Sequence, residues 1–360
     1  MIETGFPRIS FGIIVLNGEP FIRYCLRSLY PFAHQIIVVE GGSEAASSVS
    51  TPDGHSIDGT LNELSRFKKE EDPENKLEIV VKDGFWSEKD EQSAAYAARA
   101  TGDYLWQVDI DEFYLAEDVR RILKKLSQNP EITAVSFKQI TFWGGFDYYT
   151  DGWYLRNGAD IYHRLFKWGP GYRYLTHRPP TVIDDEGTDL RKRSWIKAEH
   201  LAKENIFLYH YSLAFPKQVK EKAEYYARHS WGKYSSGVIN WAQENFLSPV
   251  RSPYRIHNVH NHPSWIKKYK GTHPEQILKM NEDILQNRIE IECRNNSDIE
   301  RLERMKIYRV GRWMLEKSTC IGKTDSIAKW KLQGLAFRIG YDAGKSRLYF
   351  RSRKNAISWY

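Results

Sequence analysis

Four short apolar runs recur before Asp109 with helix-like segments between them: Ile9 to Leu16 (ISFGIIVL), Gln35 to Glu40 (QIIVVE), Lys76 to Lys82 (KLEIVVK) and Tyr104 to Val108 (YLWQV). They are rich in β-branched residues and show no polar alternation, as strands buried on both faces do. After the first run, Phe21, Cys25, Leu26 and Leu29 fall at helical spacing and Pro31 ends the segment. Residues 61–71 (LNELSRFKKEE) and 87–100 (SEKDEQSAAYAARA) predict two more helices, the latter with Ser87 as N-cap and Gly102 beyond its end. Strand, helix and strand in this order close with a right-handed crossover, which makes a mostly parallel, Rossmann-like α/β sheet flanked by helices.

The pattern loosens after a helix over Ala116 to Gln128. A strand is expected over Ala134 to Phe142, then an aromatic, glycine-rich stretch (FWGGFDYYTDGWYLRNG), strands near His163 to Trp168 and Ile206 to Tyr211, and a helix over Pro216 to His229. The expected organisation is a domain over 1–230, with halves 1–115 and 116–230, a helical and aromatic extension over 231–304, and a helical basic tail over 305–360.

Charge supports that division. Of 53 Lys and Arg against 46 Asp and Glu in 360 residues, the tail from Met305 holds 13 basic and 3 acidic residues, which leaves the rest slightly acidic. Nucleic-acid binding would interleave basic residues through the body, so no nucleic-acid partner is expected. The tail sets Trp313, Trp330, Tyr349 and Phe350 beside Arg351, Arg353 and Lys354, a mixture suited to anionic lipid; a solvated basic face is the competing reading. Three widely spaced cysteines, Cys25, Cys293 and Cys320, imply neither a disulfide framework nor a zinc cluster. With no leader-like start, the expected location is the cytoplasm, with peripheral contact at the inner face of the membrane through the tail.

Asp109 and Asp111 follow the fourth strand two residues apart, on one side of an extended backbone, with Glu112 adjoining. Ligands of open α/β sheets bind at this end of the strands. Neighbouring carboxylates raise a pKa or draw in a cation, and hard oxygen ligands on a loop suit Mg2+ or Mn2+. A solvated acidic turn competes.

The run FGIIVLNGEPFIRYCLRSLYPFAHQIIVVEGGS, then HSIDGT, then KDEQSAAYAARATGDYLWQVDIDEF, resembles the nucleotide-sugar-binding half of family 2 glycosyltransferases over residues 8–115. The resemblance implies the GT-A fold and transfer of a sugar from a nucleotide diphosphate sugar to an acceptor hydroxyl with inversion. The acceptor would be a glycan or a lipid-linked molecule. By the same resemblance Leu16 and Asn17 hold the nucleotide, and Glu40 stands where the family has an Asp on the base, followed by Gly42 and Ser43. Lys89 and Gln92 lie near base and phosphates, and Asp109 and Asp111 match the DxD motif that binds metal. Between Ser43 and Asp58-Gly59-Thr60 stand 14 residues (EAASSVSTPDGHSI) that the family pattern lacks, either a surface insertion or a reshaped donor entrance.

The family's base is an Asp or Glu of the second half. His177-Arg178-Pro179-Pro180 has Arg where an acid would stand, so Asp184 and Asp185, beside Glu186, are the expected catalytic base, with Glu199 behind them. An acidic turn is the alternative. His210, ending the run IFLYH, is the expected third metal ligand, ahead of His163 and His200; a structural histidine is the alternative. Trp143, Asp147 and Trp153, with Tyr148 and Tyr149, form an acceptor candidate, against core packing. Arg164, Lys167 and Arg173 could reach donor phosphates. The competing functions are an inactive carbohydrate- or nucleotide-binding module on the same fold and a polyanion-binding protein.

Overall fold

The computed structural model describes residues 5–156, 162–228, 235–257, 262–320, 334–335 and 338–350. The alternation runs β1 (Ile9–Val15), α1 (Phe21–Leu29), β2 (Gln35–Glu40), α2 (Thr60–Glu70), β3 (Leu77–Val80), α3 (Lys89–Ala97) and β4 (Tyr104–Gln107). β1 lies between β2 and β4, parallel to both, and β3 pairs parallel with β2. Ile9, Phe11, Ile13 and residues 36–39 are buried, because helices cover both faces of these strands. Gly12 admits α3 directly onto β1: a methyl group there would overlap the Tyr96 ring. The α3 start differs from the expected Ser87 cap. Glu88 occupies the cap position, and Ser87 donates from its backbone N and its Oγ to the Glu91 carboxylate, at 2.6 and 2.8 Å.

The chain continues through β5 (Glu112–Phe113), α4 (Ala116–Gln128), β6 (Ala134–Ser136), β7 (Gln139–Trp143), β8 (Tyr148–Gly152), α5 (Trp153–Arg156), β9 (His163–Lys167), β10 (Arg173–His177), β11 (Pro180–Ile183), β12 (Trp195–Ile196), α6 (Ala198–Lys203) and β13 (Leu208–Leu213). The strand expected over Ala134 to Phe142 is two strands. It breaks where Phe137 N donates to Tyr162 O and Lys138 O accepts from Leu208 N. The principal sheet has the order β12-β6-β9-β4-β1-β2-β3, with β9 antiparallel to β4 and β6 and the other pairs parallel. The chain is thus an α/β protein with a largely parallel central sheet flanked by helices.

By contacts the chain forms two units that alternate along the sequence, where the expected segments are consecutive. The first is Met1–Gln139, Ala159–His210 and Thr272–Ile291, and the second Ile140–Gly158, Tyr211–Gly271 and Glu292–Tyr360. The second unit adds α7 (Pro216–Arg228), α8 (Ser235–Asn245) and β14 (Ser264–Lys268). The first unit takes back α9 (Glu275–Leu285), whose Asp283 accepts from the Tyr24 hydroxyl of α1 at 2.5 Å. The rest, α10 (Ser297–Arg304), α11 (Lys306–Cys320), β15 (Ile339–Asp342) and β16 (Arg347–Phe350), belongs to the second unit. The described residues of the tail form the helix α11 and the antiparallel β15–β16 hairpin. Trp330, Arg351, Arg353 and Lys354 lie outside the described residues. Among the described residues no helix is long and apolar enough to cross a membrane.

Candidate active site

The backbone turns sharply at the carboxyl end of β4, and Glu112 N donates to Asp109 O at 2.9 Å. The Glu112 side chain folds back under this turn, accepting from Asp109 N at 3.1 Å, and is fully buried. Arg164, buried on the neighbouring β9, neutralises it. Its Nε donates to Glu112 Oε2 at 2.9 Å and its Nη2 to Asp109 Oδ2 at 3.2 Å, with a further bond from Nη2 to Glu112 Oε1. Burial pushes the Glu112 carboxyl above its ordinary value despite Arg164. Burial acts on Asp109 in the same sense, yet Arg164, His177 and Arg178 together hold that carboxyl well below the usual carboxylate range.

Asp111 points elsewhere. It is buried, and its Oδ1 lies 3.2 Å from His210 Nε2. The antiparallel pairing of β5 with β13 brings the two together, since it sets His210 opposite Glu112. His210 Nδ1 is buried and has no hydrogen-bond partner among the described residues. Asp111 and His210 thus meet near Asp109 beyond the carboxyl end of β4. No group of three His, Cys, Asp or Glu among the described residues is arranged to hold an ion by itself. The donor set still fits Mg2+ or Mn2+, which bind through one or two protein ligands and complete their shell with substrate phosphates and water.

The 14-residue segment lies against the ends of β1 and β2. Its His55 Nδ1 meets Glu40 Oε2 at 2.7 Å, and its Ser56 N donates to Glu40 Oε1 at 2.7 Å. Asn17 Nδ2 donates to Val49 O at 2.7 Å, and Asn17 Oδ1 accepts from Ile57 N at 2.9 Å. Gly42 N donates to Gly54 O, and a methyl group at Gly42 would stand 2.8 Å from the Ala46 Cβ and 3.0 Å from Leu16 Cδ2. Gln92 Nε2 donates to Gly41 O at 2.8 Å. The ligand contact expected of Glu40 is therefore corrected: its fully buried carboxylate is held by His55 and Ser56 N and does not leave such partners cheaply, while the Asn17 and Gln92 side chains bond the chain's own backbone. Ser43 differs, because its Oγ is buried without a partner among the described residues. Lys89 opens α3, half-buried, close enough to His177 to depress its pKa.

The catalytic base expected at Asp184 or Asp185 is also corrected. His177 pairs with Pro180 at one end of the β10–β11 hairpin, the end whose charges reach Asp109. Asp184 and Asp185 follow Ile183 at the other end, ~13 Å along the strand at the usual rise. There Asp184 accepts from Thr188 N at 2.8 Å and from Arg193, as an acidic turn does. Glu199 follows edge strand β12, three strand spacings or ~14 Å from β4. His163 bonds Ser136 Oγ at 2.7 Å and is held neutral by burial, its pKa lowered to about 4, while His200 is exposed on α6. Lys167 donates to Pro130 O and Arg173 is exposed.

The acceptor assignment of Trp143 gives way to core packing: the ring is fully buried against Phe246, with the Arg294 guanidinium 4.4 Å from its centroid. Asp147 is exposed between β7 and β8, and Trp153 opens α5, its side chain outside the described portion. Sequence reasoning left Arg164 as one of three interchangeable basic residues. The overlooked signal was its place beside Leu165 and Phe166 in a strand, where a buried charge must find a partner. His177 was missed as well. Its Nδ1 is 2.8 Å from Ser93 Oγ, its N donates to Asp90 Oδ1 at 2.6 Å, and burial lowers its pKa to about 2.

No protein-family model and no curated protein matches the chain by sequence. Solved structures similar to it are glycosyltransferases. A mannosyltransferase of Pyrobaculum calidifontis, in complex with GDP-Man and Mn2+, aligns over 46% of this chain and 45% of its own, at 19% identity and TM-score 0.32. TarS 1-349 of S. aureus aligns over 64% and 69%, at 11% identity and TM-score 0.35. Glucosyl-3-phosphoglycerate synthase of Mycobacterium tuberculosis, with Mn2+ and UDP-Glc, aligns over 38% and 44%, at 18% identity and TM-score 0.27. The chain spans less than half the length of the mannosyltransferase and of the synthase. The likenesses are partial, and the functional reading rests on the site itself.

Proposed function

We propose that the chain is a metal-dependent glycosyltransferase that moves a sugar from a nucleotide diphosphate sugar to an acceptor hydroxyl, with inversion, in glycan or polysaccharide synthesis in the cytoplasm. The observation that carries the reading is the meeting of Asp111 with His210, beside Asp109, at the carboxyl end of the central parallel strands. Asp111 and His210, with Asp109, would hold Mg2+ or Mn2+. The ion would supply positive charge against the diphosphate whose charge grows as the glycosidic bond breaks.

The chain's own groups have separable tasks. Arg164 keeps Asp109 ionised and cancels the charge of Glu112, and Asp111 meets His210 beside them. Ser43 Oγ, unpartnered at the end of β2, suits a donor hydroxyl or phosphate oxygen, and Lys89 suits the phosphates. The acceptor, a glycan or a lipid-linked molecule, needs a base that none of Asp184, Asp185 and Glu199 is placed to provide.

Isothermal titration of the full chain with UDP and GDP, with and without Mn2+, tests the proposal. Metal-dependent binding lost in Asp111→Asn supports it. Metal-independent binding unaffected by that substitution supports the inactive binding module instead, and absence of binding under both conditions refutes the enzyme.

A further inference from the structure

Helix α11 presents two unlike faces. Tyr308 and Leu315 are buried in a cluster with Tyr254, Trp265, Leu302 and Tyr341, the last on β15. The opposite face exposes Ile307 (63%), Val310 (55%), Trp313 (57%) and Met314 (41%), interleaved with exposed Lys306, Arg309 and Lys317. At 100° per residue these fall on one arc of the helix, away from Tyr308 and Leu315. The hairpin that shares this core exposes Phe350 (68%) and Tyr349 beside Arg347. Lys306, Lys317 and Arg347 have no carboxylate partner among the described residues.

Large apolar side chains held in water beside unpaired cations disfavour a purely solvated face, because each apolar group remains hydrated at a cost. A polyanion would use the cations and leave Ile307, Val310 and Met314 in water. A neutral apolar partner would desolvate the lysines without compensation. An anionic bilayer interface satisfies both sets: aliphatic groups enter the acyl boundary, Trp313 sits at headgroup level, and Lys306 and Lys317 meet lipid phosphates and carboxylates. We propose that the outer face of α11, with the β15–β16 hairpin, is a docking surface for an anionic lipid membrane.

The test is flotation of the full chain with vesicles of phosphatidylcholine alone and with added phosphatidylserine. The chain is expected to float with the anionic vesicles only. Lys306→Gln and Lys317→Gln should each weaken binding about five-fold, the effect of one basic residue near such a surface. Val310→Ser/Trp313→Ser should weaken it further at high salt, where screening leaves the apolar contribution dominant. These side chains are exposed, so unchanged thermal unfolding verifies that each variant folds. Failure to float with anionic vesicles overturns the proposal. So does binding that the Val310→Ser/Trp313→Ser variant retains in full while the chain binds RNA or heparin equally well, since that marks a polyanion site. Nucleotide binding is measured on the same samples and reports separately on the proposed catalytic function.

Discussion

Arg164→Met removes the cation on which the buried acidic turn depends. In the parent chain one guanidinium serves two carboxylates, at 2.9 Å to Glu112 and 3.2 Å to Asp109, and Glu112 is fully buried. Breaking a buried pair by deleting one partner costs ~3–5 kcal/mol, because the remaining charge is left without solvent or counter-ion. Of a total stability of about 5–15 kcal/mol, that loss weakens the fold while leaving it measurable in urea. Glu112 would respond by taking up a proton. Its pKa is already raised by burial, and loss of Arg164 raises it further. A group raised in the folded state contributes stability that is fully present below its ordinary value and is lost as pH rises through the raised one. Arg164→Met is therefore least destabilising in mild acid and more destabilising as pH rises. Arg164→Met/Glu112→Gln removes the orphaned charge and should recover ~2 kcal/mol or more. The gap between single and double variants should widen with pH. Arg164→Lys should recover only part, since an ammonium cannot span both carboxylates. Urea titrations of the four proteins at several pH values decide the matter. An Arg164→Met variant within ~1 kcal/mol of the parent at neutral pH, or a double variant no more stable than the single, refutes the account.

Two further outcomes follow from the same unit. His177, whose pKa is lowered to about 2 by burial, must charge when the chain unfolds in acid. Its contribution is present above the ordinary histidine value and lost as pH falls, by ~2 kcal/mol between pH ~7.5 and ~5, and His177→Asn should flatten that limb of a stability–pH curve. Glu40→Ala leaves Ser56 N and His55 without their acceptor, so a loss of ~1–3 kcal/mol is expected, together with faster limited proteolysis within residues 47–57. An unchanged cleavage rate would show that Glu40 does not hold the insertion.

Periodicity and burial were legible in the sequence where local chemistry decides the outcome. The apolar runs of β1, β2 and β4, the helical spacing of α1 and the start and end of α4 depend on side chains a few residues apart, and the structure agrees with them. The placement of Asp109 and Asp111 at a strand's carboxyl end follows from the same local pattern. Partnership across the fold was not legible. Arg164 reaches Glu112 across 52 positions, His210 reaches Asp111 by the pairing of two short strands, and His55 reaches Glu40 because an insertion packs back onto the sheet. The surroundings of Asp184 and Trp143 were not legible for the same reason. A carboxylate in a turn and an indole beside glycine have the right composition for a base and a sugar platform, but hairpin register carries one away from Asp109 and core packing buries the other. The sequence by itself determined the strands and helices up to α4 and which strand end carries the acids, because those are properties of short spans. Only the tertiary structure decided which acids are paired and with which partner, because buried charge is settled by whatever the fold brings within about 3 Å of it.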